Sequence, residues 1–144
     1  MKKYKYIFII IFIASISKSQ NNAKRDKIDE LRVTFITHKV NLSSQEAQQF
    51  WPLYNELNDK LENLKKTFRI NYLKNLNAEL LTDKEADALL TAEFNLKQKE
   101  IDLNKEYYEK YKKILPIKKI ALIRMAENEF KKELIKNIKG SSPE

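Results

Sequence analysis

One glycine stands in the whole chain, Gly140, and it lies close to the end. Glycine supplies the positive φ angles of tight turns, hairpin loops and bulges, so a chain this poor in it has few places to turn sharply. Only three prolines accompany it. A sheet protein needs turn residues at short, regular intervals, which this chain does not offer. Long helices joined by short loops are the remaining solution, and the fold class read from the sequence is all-α.

The apolar periodicity divides the chain into four helices. Ile28, Leu31, Phe35 and Ile36 mark a first, short one over Lys24 to Lys39, which Asn41 and Leu42 break. A second opens at Leu42-Ser43-Ser44-Gln45-Glu46, where Ser43 caps and Glu46 reaches back to its amide as a capping box. Its seam runs Phe50, Tyr54, Leu57, Leu61, Leu64, Phe68, Tyr72, Leu76, in steps of three and four. Pro52 lies inside this helix and predicts a local bend, unless the helix begins at Pro52 itself. Leu81-Thr82-Asp83-Lys84-Glu85 starts a third helix by the same device, Thr82 capping and Glu85 closing the box, and it runs to about Ile114. Pro116 suits the first position of a fourth, whose face is Ile120, Ile123, Ala126, Phe130 and Leu134, with Gly140 as its stop.

The third helix carries two apolar stripes. One holds Ala86, Leu90, Phe94, Ile101, Tyr108, Tyr111 and Leu115; the other holds Leu89, Leu96, Leu103, Tyr107 and Ile114. Their centres lie about 120° apart around the axis. One stripe packs on helix two, and the other is left for helix one, helix four, a second subunit or a client chain. Helices two and three, each read as longer than 30 residues, would span about 45–50 Å. The expectation is an extended, curved antiparallel hairpin that pairs as a homodimer.

The N-terminus reads as an export signal. Lys2, Lys3 and Lys5 precede an apolar run from Tyr6 to Ile16, and Ser17-Lys18-Ser19 places small residues before a cleavage point at Ser19/Gln20. The run is well short of the ~20 residues of a spanning helix, so a retained membrane tether is the lesser alternative. The domain reading is residues 1–19 as signal peptide, 20–139 as one helical domain and 140–144 as a disordered tail. Loss of the signal removes four lysines and lowers the formal charge from +8 to +4. That remainder is interleaved with Glu and makes no basic stripe for nucleic acid. The localisation expected is periplasmic, with no stable membrane insertion after cleavage.

No catalytic constellation is legible. The chain has no cysteine and one histidine, His38, which excludes thiol chemistry and leaves few transition-metal ligands. Ser43, Ser44 and Thr82 read as caps with no base beside them in sequence. Carboxylates such as Glu93, Glu106 and Glu109 have Lys97, Lys110 and Lys113 one turn on, the pattern of a solvated, ion-paired face. The expectation is no catalytic residue, no cofactor and no metal. Phe50, Trp51 and Tyr54 form one aromatic cluster and Tyr107, Tyr108 and Tyr111 another. Antiparallel packing of the two long helices brings both to the same end, where they make either a core knot or a partner-binding surface.

The stretch Val-Asn-Leu-Ser-Ser-Gln-Glu-Ala-Gln-Gln-Phe-Trp at residues 40–51 resembles the start of the long helix in the Spy/CpxP superfamily, exported all-helical proteins with an L-T-x-x-Q motif. Here Ser43 replaces Thr and Glu46 stands where the Gln falls; the corresponding place before the last helix is Ile114-Leu115-Pro116-Ile117-Lys118-Lys119, with neither Thr nor Gln. Over residues 35–42, Ala47 to Asn55, Ile114-Leu115-Pro116 and Ala126 to Leu134, the chain is more similar to short exported Bacteroidetes proteins labelled sensors of ECF-type sigma factors. The resemblance implies a curved periplasmic hairpin dimer active in envelope stress. Such proteins either shield unfolded clients, in a chaperone-like role, or sense metal and signal to a membrane partner. A dedicated regulator of an ECF sigma/anti-sigma pathway and a metal-responsive sensor are the alternatives that it leaves open.

Overall fold

A computed structural model describes residue 23 and residues 25–74 and 76–140, with side chains up to residue 137. The export segment, its cleavage junction and residues 141–144 lie outside the described residues. Those described are all-helical, with four α-helices and no strand. They are α1 (residues 25–40), α2 (Ser44–Phe68), α3 (Asp83–Lys112) and α4 (Ile117–Gly140). Gly140 is the last residue of α4 rather than the first of a tail. The chain separates into two compact units, one of residues up to Asn41 with those from Leu122 on, the other Leu42–Ala121.

The first unit joins α1 to the later turns of α4. The Phe35 ring lies 5.7 Å from that of Phe130, and the Arg32 guanidinium sits 6.0 Å over the same ring. Ile36, Val40, Ile123, Ala126 and Phe130 are its buried apolar residues. Lys39 and Glu129 pair across the two helices at 2.8 Å in solvent, where ion pairs contribute little. Asn41 ends α1 with φ 55°, donating its N–H to the His38 carbonyl at 3.2 Å. Asparagine is one of the few residues besides glycine that takes this left-handed cap readily, which is how the helix ends without one.

In the second unit both expected capping boxes are formed. Glu46 N–H donates to Ser43 Oγ at 3.2 Å while Ser43 N–H donates to Glu46 Oε2 at 2.8 Å. Thr82 and Glu85 repeat this at 3.3 and 3.0 Å, and the Thr82 hydroxyl adds a 2.7 Å bond to the same carboxylate. Glu46 also holds Lys119 at 2.6 Å, which pins the first turn of α4 to the first turn of α2. Replacing Thr82 by Ala removes the acceptor for one orphan amide and is expected to cost about 1 kcal/mol. Chemical denaturation of the Thr82→Ala protein checks it, with Thr82→Ser as the variant that keeps the cap.

Two boundaries differ from the sequence expectation. α2 starts at its Ser43 cap and includes Pro52, as read from the sequence, but regular α2 covers 25 residues and α3 30, so neither exceeds 30 residues, against the expectation. α2 gives way at Arg69–Leu73 to a π-helical turn, closed by Lys74 N–H on the Arg69 carbonyl at 2.9 Å. The seam there advances by three successive four-residue steps, Leu64, Phe68, Tyr72, Leu76. Each such step overshoots a 3.6-residue turn by about 40°, and a wider turn keeps the residues in line. Phe68 and Tyr72 accordingly stack at 5.5 Å. At the other junction, the Pro116 carbonyl accepts the first bond of α4 from Ile120 at 3.2 Å. Pro116 therefore occupies the cap position, one residue earlier than expected.

α2 and α3 meet in opposite order along their lengths. Phe50 lies 5.0 Å from Tyr111, Lys60 lies 5.2 Å over the Tyr107 ring, and Lys65 pairs with Glu100 at 3.3 Å. Burial is concentrated where α2 begins and α3 ends: Phe50, Tyr54, Leu57, Tyr107, Tyr111 and Leu115. Further along the pair, Ala92 is the only buried residue among those described from 58 to 106.

Candidate functional site

The two aromatic clusters do come together. Phe50 touches Trp51 at 5.1 Å, Tyr54 at 5.5 Å and Tyr111 at 5.0 Å between ring centroids. Tyr107 lies 6.3 Å from Tyr111. Phe50, Tyr54, Tyr107 and Tyr111 are buried, Trp51 is half-buried and Tyr108 is exposed. Of the six aromatics singled out in the sequence, four thus form the centre of the unit's core, and only Trp51 and Tyr108 present area to a partner.

Tyr107 is the most enclosed of them and is wrapped in charge. Lys110 Nζ lies 4.0 Å and Lys60 Nζ 5.2 Å from its ring centroid. Its buried hydroxyl lacks a hydrogen bond of good geometry among the described residues. It is nevertheless the foremost cause, ahead of Lys60, that holds the Glu56 carboxyl below the usual range. The same hydroxyl, followed by Glu56, pushes Lys60 above an ordinary lysine. Lys60 and Glu56 pair at 3.0 Å, and Lys110 and Glu106 at 2.8 Å.

These shifts set the response to pH. Glu46 is lowered from 4.5 by Lys119 and then Ser43, Glu85 by Thr82, and Glu106 by Lys110. A depressed carboxyl stabilises the fold above its unfolded value and loses that contribution as pH falls through the folded value. The raised lysines, Lys39, Lys60, Lys110 and Lys112, contribute fully below 10.5 and lose it only at higher pH. The melting temperature is expected to be flat between those limits and to fall below pH 4.5. Thermal unfolding followed by circular dichroism checks it; a rising melting temperature in that acid range would contradict it.

Beyond the core the helices leave apolar surface uncovered in several places, Leu80, Ile117 and Met125 among them, and two of these places involve α3. The first is an open groove of about 510 Å³ between α2 and α3. Leu64, Phe68, Tyr72, Leu96 and Leu103 form its apolar lining, with Asn63, Asn71 and Asn95 supplying amides and Lys60 and Lys99 positive charge. The second is the middle of the α3 stripe read from Ala86 to Leu115: Leu90, Phe94, Ile101 and Tyr108 are exposed to 52, 67, 49 and 39%, whereas Ala86 is half-buried and Tyr111 and Leu115 are buried. The stripe of Leu89, Leu96, Leu103, Tyr107 and Ile114 is the one turned toward α2, all of it buried or half-buried. The groove was not foreseen from the sequence. Its signal was there, in the four-residue steps late in the α2 seam beside Asn63, Thr67 and Asn71.

Among the described residues no three His, Cys, Asp or Glu side chains gather where they could hold a metal ion, and no helix is long and apolar enough to cross a membrane. Leu42 is buried, Leu81 half-buried, and Ser43, Thr82, Glu46 and Glu85 are committed to the helix starts. His38 is exposed at the end of α1. Compared with known proteins, the chain matches no family model, no curated protein and no solved structure.

Proposed function

We propose that this is a non-enzymatic, exported binding protein of the periplasm that docks protein partners or unfolded clients in a chaperone-like way, as an accessory factor or sensor in envelope stress. The open groove between α2 and α3 carries the reading. An apolar floor flanked by amides and lysines suits an extended polypeptide segment, whose side chains enter the floor while its backbone meets the amides. Lys60 and Lys99 favour segments with acidic residues beside the apolar ones. In this reading α2 and α3 form an extended curved hairpin, and two copies associate as a homodimer.

The test is aggregation of an unfolded client with the mature chain, residues 20–144, present in increasing amounts. Suppression at near-stoichiometric ratios is expected. No suppression at several-fold excess sinks the chaperone-like part. If a pull-down from envelope extract then retains one protein tightly, the groove serves a dedicated partner, as a regulator of a sigma/anti-sigma pathway would require.

A further inference from the structure

We propose that the exposed face of α3 is a self-complementary surface on which a second copy of this chain docks antiparallel. The inference rests on the homodimer proposed above and says where and in what register the copies meet. The face is a single seam along the helix, within an arc of about 80°. Its middle is apolar: Leu90, Phe94 and Ile101, all exposed. Its N-terminal end is acidic, with Asp83 and Asp87, and its C-terminal end is basic, with Lys105 and Lys112 around Tyr108. All four charged residues are exposed, and Asp87 and Lys105 make no ion pair among the described residues.

A seam that runs acidic, apolar, basic matches its own reverse. Laying a second α3 antiparallel, with residues 97 and 98 at the two-fold axis, sets Phe94 opposite Ile101 and Leu90 against the aliphatic stem of Lys105. The same register sets Asp83 opposite Lys112 and leaves Asp87 one turn from Lys105. Each pair occurs twice, as a closed two-fold interface requires. A parallel arrangement would oppose like charges at both ends. Lys97 near the axis is already neutralised by Glu93 at 2.9 Å, so the centre carries no unpaired charge. Lys112 keeps Glu109 at 2.6 Å, which makes the Asp87–Lys105 approach the principal source of charge selectivity.

The experiment is a mass determination by light scattering over a concentration series, on the mature chain and four variants. The unaltered chain is expected at twice its sequence mass and Phe94→Glu at once, with helicity unchanged by circular dichroism because residue 94 is exposed. Asp87→Lys and Lys105→Asp singly should each raise the dissociation constant about tenfold by placing like charges together. Combined, the two swaps should restore it. A monomeric parent chain, or a Phe94→Glu protein that remains a dimer, overturns the proposal. A double swap no tighter than the singles overturns the register. Client protection is measured on the same samples: a dimer formed elsewhere that still protects leaves the groove reading intact, and an α3 dimer that does not protect removes that reading alone.

Discussion

Replacing Phe50 by Ala is expected to lower the stability of this protein by about 3–5 kcal/mol, the range for deleting a buried aromatic ring. Phe50 is 1% exposed and meets Trp51, Tyr54 and Tyr111 at once. It lies where the start of α2 crosses the end of α3, the best-buried part of its unit. Elsewhere in that unit little is enclosed, so the loss has no second core to fall back on. A total stability of about 5–15 kcal/mol is usual for a domain, and a loss of this size leaves much of the population unfolded at moderate temperature. Urea denaturation measures it. A loss under 1 kcal/mol would mean that the aromatic knot is not what holds the unit together. Tyr107→Phe is the informative companion. The Tyr107 hydroxyl is buried without a hydrogen bond of good geometry, so its removal is expected to leave the packing of the aromatic knot unchanged. It should instead let the Glu56 carboxyl rise toward its usual range, which carbon-detected titration of Glu56 would read directly.

The second large effect concerns the groove. Phe68→Asp or Leu96→Asp places a carboxylate in its apolar lining, and both positions are only half-buried, so the helices should still form. Client protection is expected to fall at least tenfold, because a docked apolar segment would have to desolvate the new charge. Lys99→Glu should act more weakly and mainly on acidic clients, with a strong dependence on salt. If Phe68→Asp protects as well as the parent chain while remaining helical, clients bind elsewhere and the groove reading is abandoned. If neither protein protects, the chaperone-like role goes and the dedicated-partner role is what the pull-down decides.

Local chemistry made the helices legible. Ser43 with Glu46 and Thr82 with Glu85 announce two helix starts because the atoms that close a capping box are three residues apart in any context. Asn41 announced the end of α1 because a short polar side chain tolerates the left-handed cap. The meeting of the two aromatic clusters was also legible, since antiparallel packing of consecutive long helices puts the start of one beside the end of the next. The π turn at Arg69–Leu73 was not, although the seam's spacing contained it, because periodicity alone reads successive four-residue steps as a continued α-helix.

What the chain determined by itself is therefore the helical class, the caps and the pairing of α2 with α3, all of which depend on interactions between residues near in sequence or on a single apolar period. How much of each α3 stripe is covered depended on the tertiary structure. Both stripes are apolar enough to pack, and their period is the same. Only the way α2 lies on α3 buries Tyr107 and leaves Leu90, Phe94 and Ile101 in solvent. The same holds for the aromatics, of which packing enclosed four and left Tyr108 outside. Burial is a property of two surfaces at once, and one helix's pattern specifies only its own.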